Sequence, residues 1–389
     1  MDTAYISKLR KFVAPEFIFG ADASMLAGQF AANLSVSKAL VVTDSTLMSL
    51  DFSDRILDTL KSEGITCVMF SDVSPNPRED EVMAGAALFD KEGCDALIAI
   101  GGGSPMDCAK AIGIVCTNKR HVLEFEGVDK VDRPGPPLIC IPTTAGSAAD
   151  VSQFCIITAL DRKAKIAIVS KSALPDVALI DPVLTMSMDR NLTAYTGLDA
   201  LTHATEAYVS NASSAITDLN ALEAVRMTKR HLVTAVNEPD NLLARSGMML
   251  ASTYAGLAFS NAILGAVHAM AHSLGGLLDL PHGLCNAILL EHVIRYNFSA
   301  APEKYRKLGI ALDADIPKDL PLDEMCERVV GAYTSFKQSV GVQSSLCDLG
   351  VTKADFPLLA EHAMADACML TNPKELSVQE ITEIFKNAC

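Results

Sequence analysis

Short apolar runs alternate with helical stretches through the first half of the chain, and the alternation stops after Pro182. Continuous runs such as ALVVTD at 39–44, which ends in a carboxylate, and ALIAI at 96–100 suit parallel strands buried on both faces. Strands alternating with helices build βαβ units and a parallel sheet. Residues 12–20, 65–70, 138–141 and 177–181 read as further strands, with helices over 53–64 and 79–91 between them. From Asp189 onward only helical periods remain, broken by polar stretches such as NEPD at 237–240 and DIPK at 315–318. The expected architecture is an α/β N-terminal domain with a parallel sheet, residues 1–185, followed by an all-α C-terminal domain, residues 186–389. A chain of 389 residues is long enough for two such cores.

The net charge of −15 argues against nucleic acid or an anionic membrane surface as partner. Eleven scattered cysteines with no C-x-x-C spacing read as reduced thiols of a cytoplasmic protein rather than a disulfide framework. The N-terminus lacks the basic-then-apolar layout of a signal peptide. The apolar segment 258–280 approaches membrane-spanning length. It contains Ser260, Asn261, His268, His272 and Ser273, so it reads as a buried helix lining a site, not a membrane span.

Two strand-to-helix turns carry chemistry in the first half. GGGSPMD at 101–107 follows a buried strand; Ser104 suits an N-cap, Pro105 the first helical position and Asp107 a capping box. Glycines admit close backbone approach, and free amides at a helix start favour an anion such as a pyrophosphate. The turn is neither the G-x-G-x-x-G fingerprint nor a Walker loop, and taken alone it reads equally as structure. Asp44 ends an earlier strand, where a carboxylate can accept ribose hydroxyls and repel a 2′-phosphate. PTTAGS at 142–147 is rich in hydroxyls that could face the same ligand or bond to their own backbone.

The densest chemistry lies at 265–286, GAVHAMAHSLGGLLDLPHGLCN, where three of the eight histidines fall close together. His268 and His272 are four apart and share one helix face. His282 follows Pro281 at the start of a new helix, positioned to fold back toward His268. In GLDALTHATEAY at 197–208, Asp199 and His203 are also four apart. Each pair alone reads as an ion pair or as satisfied core groups. Together Asp199, His203, His268 and His282 make an oxygen-and-imidazole set for Fe²⁺, Zn²⁺ or Mn²⁺, without the thiolates of a structural zinc site.

These motifs, in this order along nearly the whole chain, resemble the iron-containing, or group III, alcohol dehydrogenase family. The elements that carry the resemblance are Asp44 in VVTDS, Asn76 in PNP, GGGSPMD, PTTAGSAAD at 142–150, GLDALTHATEAY and segment 265–286. The resemblance implies a dinucleotide-binding domain, a helical metal domain and catalysis in the cleft between them. It implies NAD contacts at Asp44, Asn76, Gly103, Ser104, Pro105, Met106, Asp107, Thr143, Thr144, Ser152 and Lys165. It places Asp199, His203, His268 and His282 as ligands to iron, with zinc as second choice. His272 falls at a position near nicotinamide and substrate, and Phe154, Phe259 and Cys368 at pocket-wall positions. Ser147 and Asp150 stand where Thr and Glu are common, a departure that bears on pocket shape.

The activity so implied is metal-assisted hydride transfer between NAD(H) and a small primary alcohol or its aldehyde, in a homodimer or higher homo-oligomer. The alternatives within the superfamily are a glycerol or diol dehydrogenase, a cyclising synthase of the dehydroquinate type and a hydroxyacid–oxoacid transhydrogenase. Outside it stands a catalytically idle sensor or scaffold.

Overall fold

The computed structural model describes residues 10–389. The chain divides into two compact units, Val13–Ser187 and Met188–Cys389, the latter joined by residues 10–12.

The first unit runs β1 (Glu16–Phe19), α1 (Ala27–Asn33), β2 (Lys38–Val42), α2 (Asp51–Ser62), β3 (Thr66–Phe70), α3 (Glu79–Glu92), β4 (Ala96–Gly101) and α4 (Gly103–Asn118). It continues through β5 (Gly127–Val128), β6 (Leu138–Pro142), β7 (Phe154–Ala159), β8 (Ala164–Val169) and β9 (Val177–Ile180). Six strands form one sheet in the order β1-β9-β6-β4-β2-β3, every neighbour parallel. Side chains alternate across it as strand geometry requires. Leu40, Val42, Leu97 and Ala99 pack in one apolar cluster with residues of α3 and α4, while Ala39, Val41, Ile98 and Ile100 pack in another with α1 and α2. Ile56 and Leu60 of α2 have no exposed surface. Truncating such a side chain to Ala costs about 2–5 kcal/mol.

Three features differ from the sequence expectations. A second sheet, β5-β8-β7, carries an antiparallel hairpin between Phe154 and Val169. Ser104 is not the N-cap of α4: the helix begins at Gly103 with Gly102 as N-cap, so Ser104 and Pro105 lie inside its first turn. Ser104 Oγ instead donates to the Pro75 carbonyl, and Asp107 accepts from the Ile156 amide at 3.1 Å, so the capping box does not form. Finally, Cys347 and Cys389 are joined as a disulfide, whereas the other nine cysteines are free. Forty-two residues separate the pair, and only the folded chain brings their Cα atoms to 4.8 Å.

The second unit contains α5 (Arg190–Val209), α6 (Ala215–Asn237), α7 (Leu242–Ala262), α8 (Ala266–Leu278), α9 (His282–Asn297), α10 (Pro302–Ala311), α11 (Leu322–Ser339), α12 (Phe356–Ala365) and α13 (Val378–Asn387). It has no strand among the described residues. Helices α7 and α8 meet at 99°, and no single described helix is long and apolar enough to cross a membrane. The break is at Ile263, whose φ of 60° is strained for a β-branched residue. Gly265 follows; a Cβ there would lie 2.9 Å from a Glu206 carboxylate oxygen, so only glycine lets α8 start against that group.

Candidate metal centre

Helix α5 is buried on every side from Gly197 to Val209 and carries Asp199, His203 and Glu206 at helical spacing on one face. His268 and His272 come from α8, and His282 and Asn286 from the first turns of α9. Asp199, His268 and His282 offer donor atoms that all lie within 4.8 Å of one another. The Nε2 atoms of His268 and His282 are each 3.7 Å from Asp199 Oδ1. His203 sits beside this set: its Nδ1 is 3.9 Å from Asp199 Oδ2, and its ring stacks between those of Phe259 and His268.

Two side chains behind the donors complete the arrangement. The Glu206 carboxylate accepts the Val267 amide at 2.7 Å and lies 2.6 Å from His268 Nδ1. A proton shared there leaves the Nε2 lone pair of His268 free to face Asp199, the usual support of a metal-binding imidazole. Asn286 Nδ2 donates to Asp199 Oδ1 at 2.7 Å and lies 3.1 and 3.2 Å from the Nε2 atoms of His268 and His282. Three acceptors thus converge on one amide nitrogen, while the Asn286 carbonyl oxygen is buried without a partner. Burial opposes charge on Asp199, but the surrounding His203, His282 and His268 hold its carboxyl far below the ordinary range. Burial likewise opposes charge on His268, yet with no cation present Asp199 and Glu206 raise its pKa to about 9; a cation at Nε2 would take the place of the second proton. Convergent lone pairs around an anionic carboxylate fit a divalent cation, and the oxygen-and-nitrogen donors suit iron or zinc.

His272 points to a different partner. Its Nδ1 is 2.8 Å from Asp366 Oδ2, and its ring stacks on that of His282 with centroids 5.3 Å apart. Cys368 is fully buried near both, and burial followed by the Asp366 charge pushes its thiol well above the normal range. It is therefore neutral.

In the first unit, the start of α4 has no side-chain cap. A Cβ on Gly102 would lie 3.2 Å from Thr144, and one on Gly103 3.0 Å from Ser147, so bare backbone is needed for the two loops to approach. Uncapped amides at a helix start fit a pyrophosphate. Asp44 directs Oδ1 at its own Thr46 and Leu47 amides, at 2.9 and 3.0 Å, a turn that fixes the carboxylate. Asn76, Thr143 and Ser152 are buried. Pro105 and Met106 are buried, and since proline has no amide N–H only Met106 of the two has a backbone donor. Ser152 and Phe154 turn their carbonyls to the buried Lys110 ammonium, at 2.9 and 2.8 Å. Burial pushes the Asp107 carboxyl up to about 6 against the Lys110 charge, the Ile156 amide and, least of the three, the charge of Lys165 on β8. Of the expected pocket-wall residues, Phe154 belongs to the first unit, Phe259 and Cys368 to the second.

Glu206, Asn286 and Asp366 were not singled out from sequence. Glu206 and Asn286 had a signal, since each continues the helix face of a ligand candidate. Asp366 had none, lying 94 positions from His272.

A model of the iron-containing alcohol dehydrogenase matches residues 14–182, and one of the C-terminal part of the Fe-containing alcohol dehydrogenase family matches residues 193–389. The chain belongs to the iron-containing alcohol dehydrogenase family. Within that family it is 42% identical to a 1,3-propanediol dehydrogenase of Klebsiella pneumoniae over 95% of this chain and 96% of that protein. It is 35% identical to an NAD-dependent methanol dehydrogenase of Bacillus methanolicus, covering 97% and 99% of the two chains. A crystal structure of a 1,3-propanediol oxidoreductase superposes with a TM-score of 0.94 at 41% identity, covering 98% and 100%. Family membership makes the protein an oxidoreductase of the alcohol dehydrogenase type.

Proposed function

We propose that this protein reversibly interconverts a small primary alcohol and its aldehyde with NAD(H), using one divalent cation, iron first and zinc second. The observation that carries the reading is the convergence of Asp199, His268 and His282 donors with Glu206 behind His268. A cation so held supplies Lewis acidity to the substrate oxygen. One carboxylate against two positive charges leaves the site net positive, suited to a developing alkoxide. His203 is the fourth ligand in this reading. The α4 amides, with Asn76, Thr143, Thr144 and Ser152, orient the dinucleotide; Asp44 selects NAD over its 2′-phosphate analogue. Asp107 and Lys165 contact the cofactor in the same reading. His272 handles the hydroxyl proton, and Phe259 and the neutral Cys368 exclude water from the reacting carbon.

A diol is the second reading of the substrate, supported by the likeness to a 1,3-propanediol dehydrogenase. We also read the protein as a homodimer: among the described residues β1 is an edge strand that pairs with β9 alone, and Phe17 on it is 41% exposed. The deciding assay is NADH oxidation by anaerobically iron-loaded protein over a panel of aldehydes, with and without a terminal hydroxyl. Turnover with short aldehydes supports the reading. Activity only in the presence of a second oxoacid, with no NADH consumed, favours transhydrogenation. Light scattering giving a monomer mass at micromolar concentration removes the dimer.

A further inference from the structure

His272 is held by a carboxylate from a distant part of the unit. Asp366 directly follows α12 and caps the short helix Ala367–Thr371 that comes after it. Both of its oxygens are committed: Oδ1 accepts the Cys368 amide at 2.7 Å, and Oδ2 faces His272 Nδ1 at 2.8 Å. The two side chains are only 6% and 7% exposed, so water does not compete for the contact. A carboxylate pinned at one oxygen cannot rotate away, so the imidazole at the other is fixed in direction. Burial alone would raise the carboxyl's pKa, but the adjacent His272 and the Cys368 amide bring it below the ordinary value, and an ionised carboxylate can only accept.

We propose that Asp366 is the positioning residue of the proton-transfer histidine: it holds His272 as the Nδ1–H tautomer, so that Nε2 is the base. The proposal rests on the alcohol dehydrogenase reading above. In alcohol oxidation the C–H hydride passes to NAD⁺, the C=O double bond forms, and the hydroxyl proton ends on His272 Nε2. The imidazolium so formed is stabilised by the Asp366 carboxylate, which keeps its charge and takes no proton. In aldehyde reduction the same proton returns to the oxygen. Replacing a carboxylate by an amide behind a catalytic histidine leaves the geometry but reverses the tautomer, at a cost of up to about 10⁴ in kcat.

The test begins with long-range ¹H–¹⁵N spectra of histidine-labelled, zinc-loaded protein at fixed pH, with His272 assigned through His272→Ala. The wild type should show Nδ1–H at His272; Nε2–H there overturns the proposal, whether or not any variant folds. Asp366→Asn keeps an N-cap acceptor. It should switch His272 to Nε2–H and lower kcat by about 10²–10⁴, with KM, NADH affinity and metal content within about threefold of wild type. In the His272→Ala background the same change should alter kcat by less than about threefold, because the two residues act as one unit. Independent, multiplying losses, wild-type kcat, or a metal-depleted Asp366→Asn protein would each make Asp366 merely structural. If the wild type reduces no aldehyde, the functional reading fails, while the tautomer assignment is still decided by the spectrum.

Discussion

Glu206 and His268 share a proton across 2.6 Å, and the same carboxylate receives the Val267 amide at the start of α8. The carboxylate therefore answers to a helix N-terminus on one side and to an imidazole on the other. Glu206→Gln retains the amide contact but sets an NH₂ group against His268 Nδ1–H. The expected loss of metal affinity is about 10–100-fold. Competition against a chelator of known affinity measures it, and an unchanged dissociation constant would remove Glu206 from the site.

The donor set itself is tested by the His268→Ala, His282→Ala double variant. Elemental analysis should find it without bound metal, and its activity should not return on iron addition. Its first unit should keep its secondary structure, because β2, β4, β6 and β9 pack in clusters that include no residue of the second unit. Full metal occupancy in the double variant would contradict the assignment.

In the proposed function, cofactor preference turns on Asp44. Its own turn takes up Oδ1, leaving Oδ2 to meet the ribose. Asp44→Gly should narrow the ratio of kcat/KM for NADH over NADPH by about 1–3 kcal/mol, a charge-and-hydrogen-bond effect. A wild-type enzyme that prefers NADPH would reverse the role given to this residue.

Asp107 gives a pH signature. Burial raises its pKa from 3.8 to about 6 in the folded protein. Between those values the folded state keeps a proton that the unfolded chain has released. Its contribution to stability therefore falls as pH rises through this window and levels off above about 6. With roughly 1.4 kcal/mol for each pK unit, Asp107→Asn should gain on the wild type by up to about 3 kcal/mol between pH 4 and 7, whatever its offset at pH 4. Denaturant melts of both proteins across that range check the slope; no gain would mean Asp107 ionises as readily folded as unfolded, and a gain in the opposite direction that it ionises more readily when folded.

Much of this was legible in the sequence, for reasons that differ element by element. The strands β2, β4, β6 and β9 are buried on both faces, so their apolar runs announce them. The hairpin β7–β8 was hidden because its first strand follows a hydroxyl-rich loop that reads as a turn. Ser104 looked like a cap because Ser is a good one, but the triple glycine lets the helix start a residue earlier and gives Ser104 a distant acceptor. The periods of Asp199, His203 and His268 place them on helix faces. They do not say that the His203 ring lies flat against His268, which depends on side-chain rotation. The Asp366 contact and the Cys347–Cys389 link join positions far apart in the chain, and no local pattern encodes either.

The break at Ile263 has a consequence for the identity of the whole segment. Joined without it, Leu242–Leu278 would make one helix about 55 Å long, mostly apolar and longer than the roughly 30 Å hydrocarbon core of a bilayer. Bent through 99°, the same residues become two arms, each largely buried in the second unit. The second arm then opens at Gly265 with free amides for Glu206 to receive. A chain that straightened at Ile263 would carry His268 away from the Asp199 carboxylate and leave one long apolar helix where two buried arms now meet.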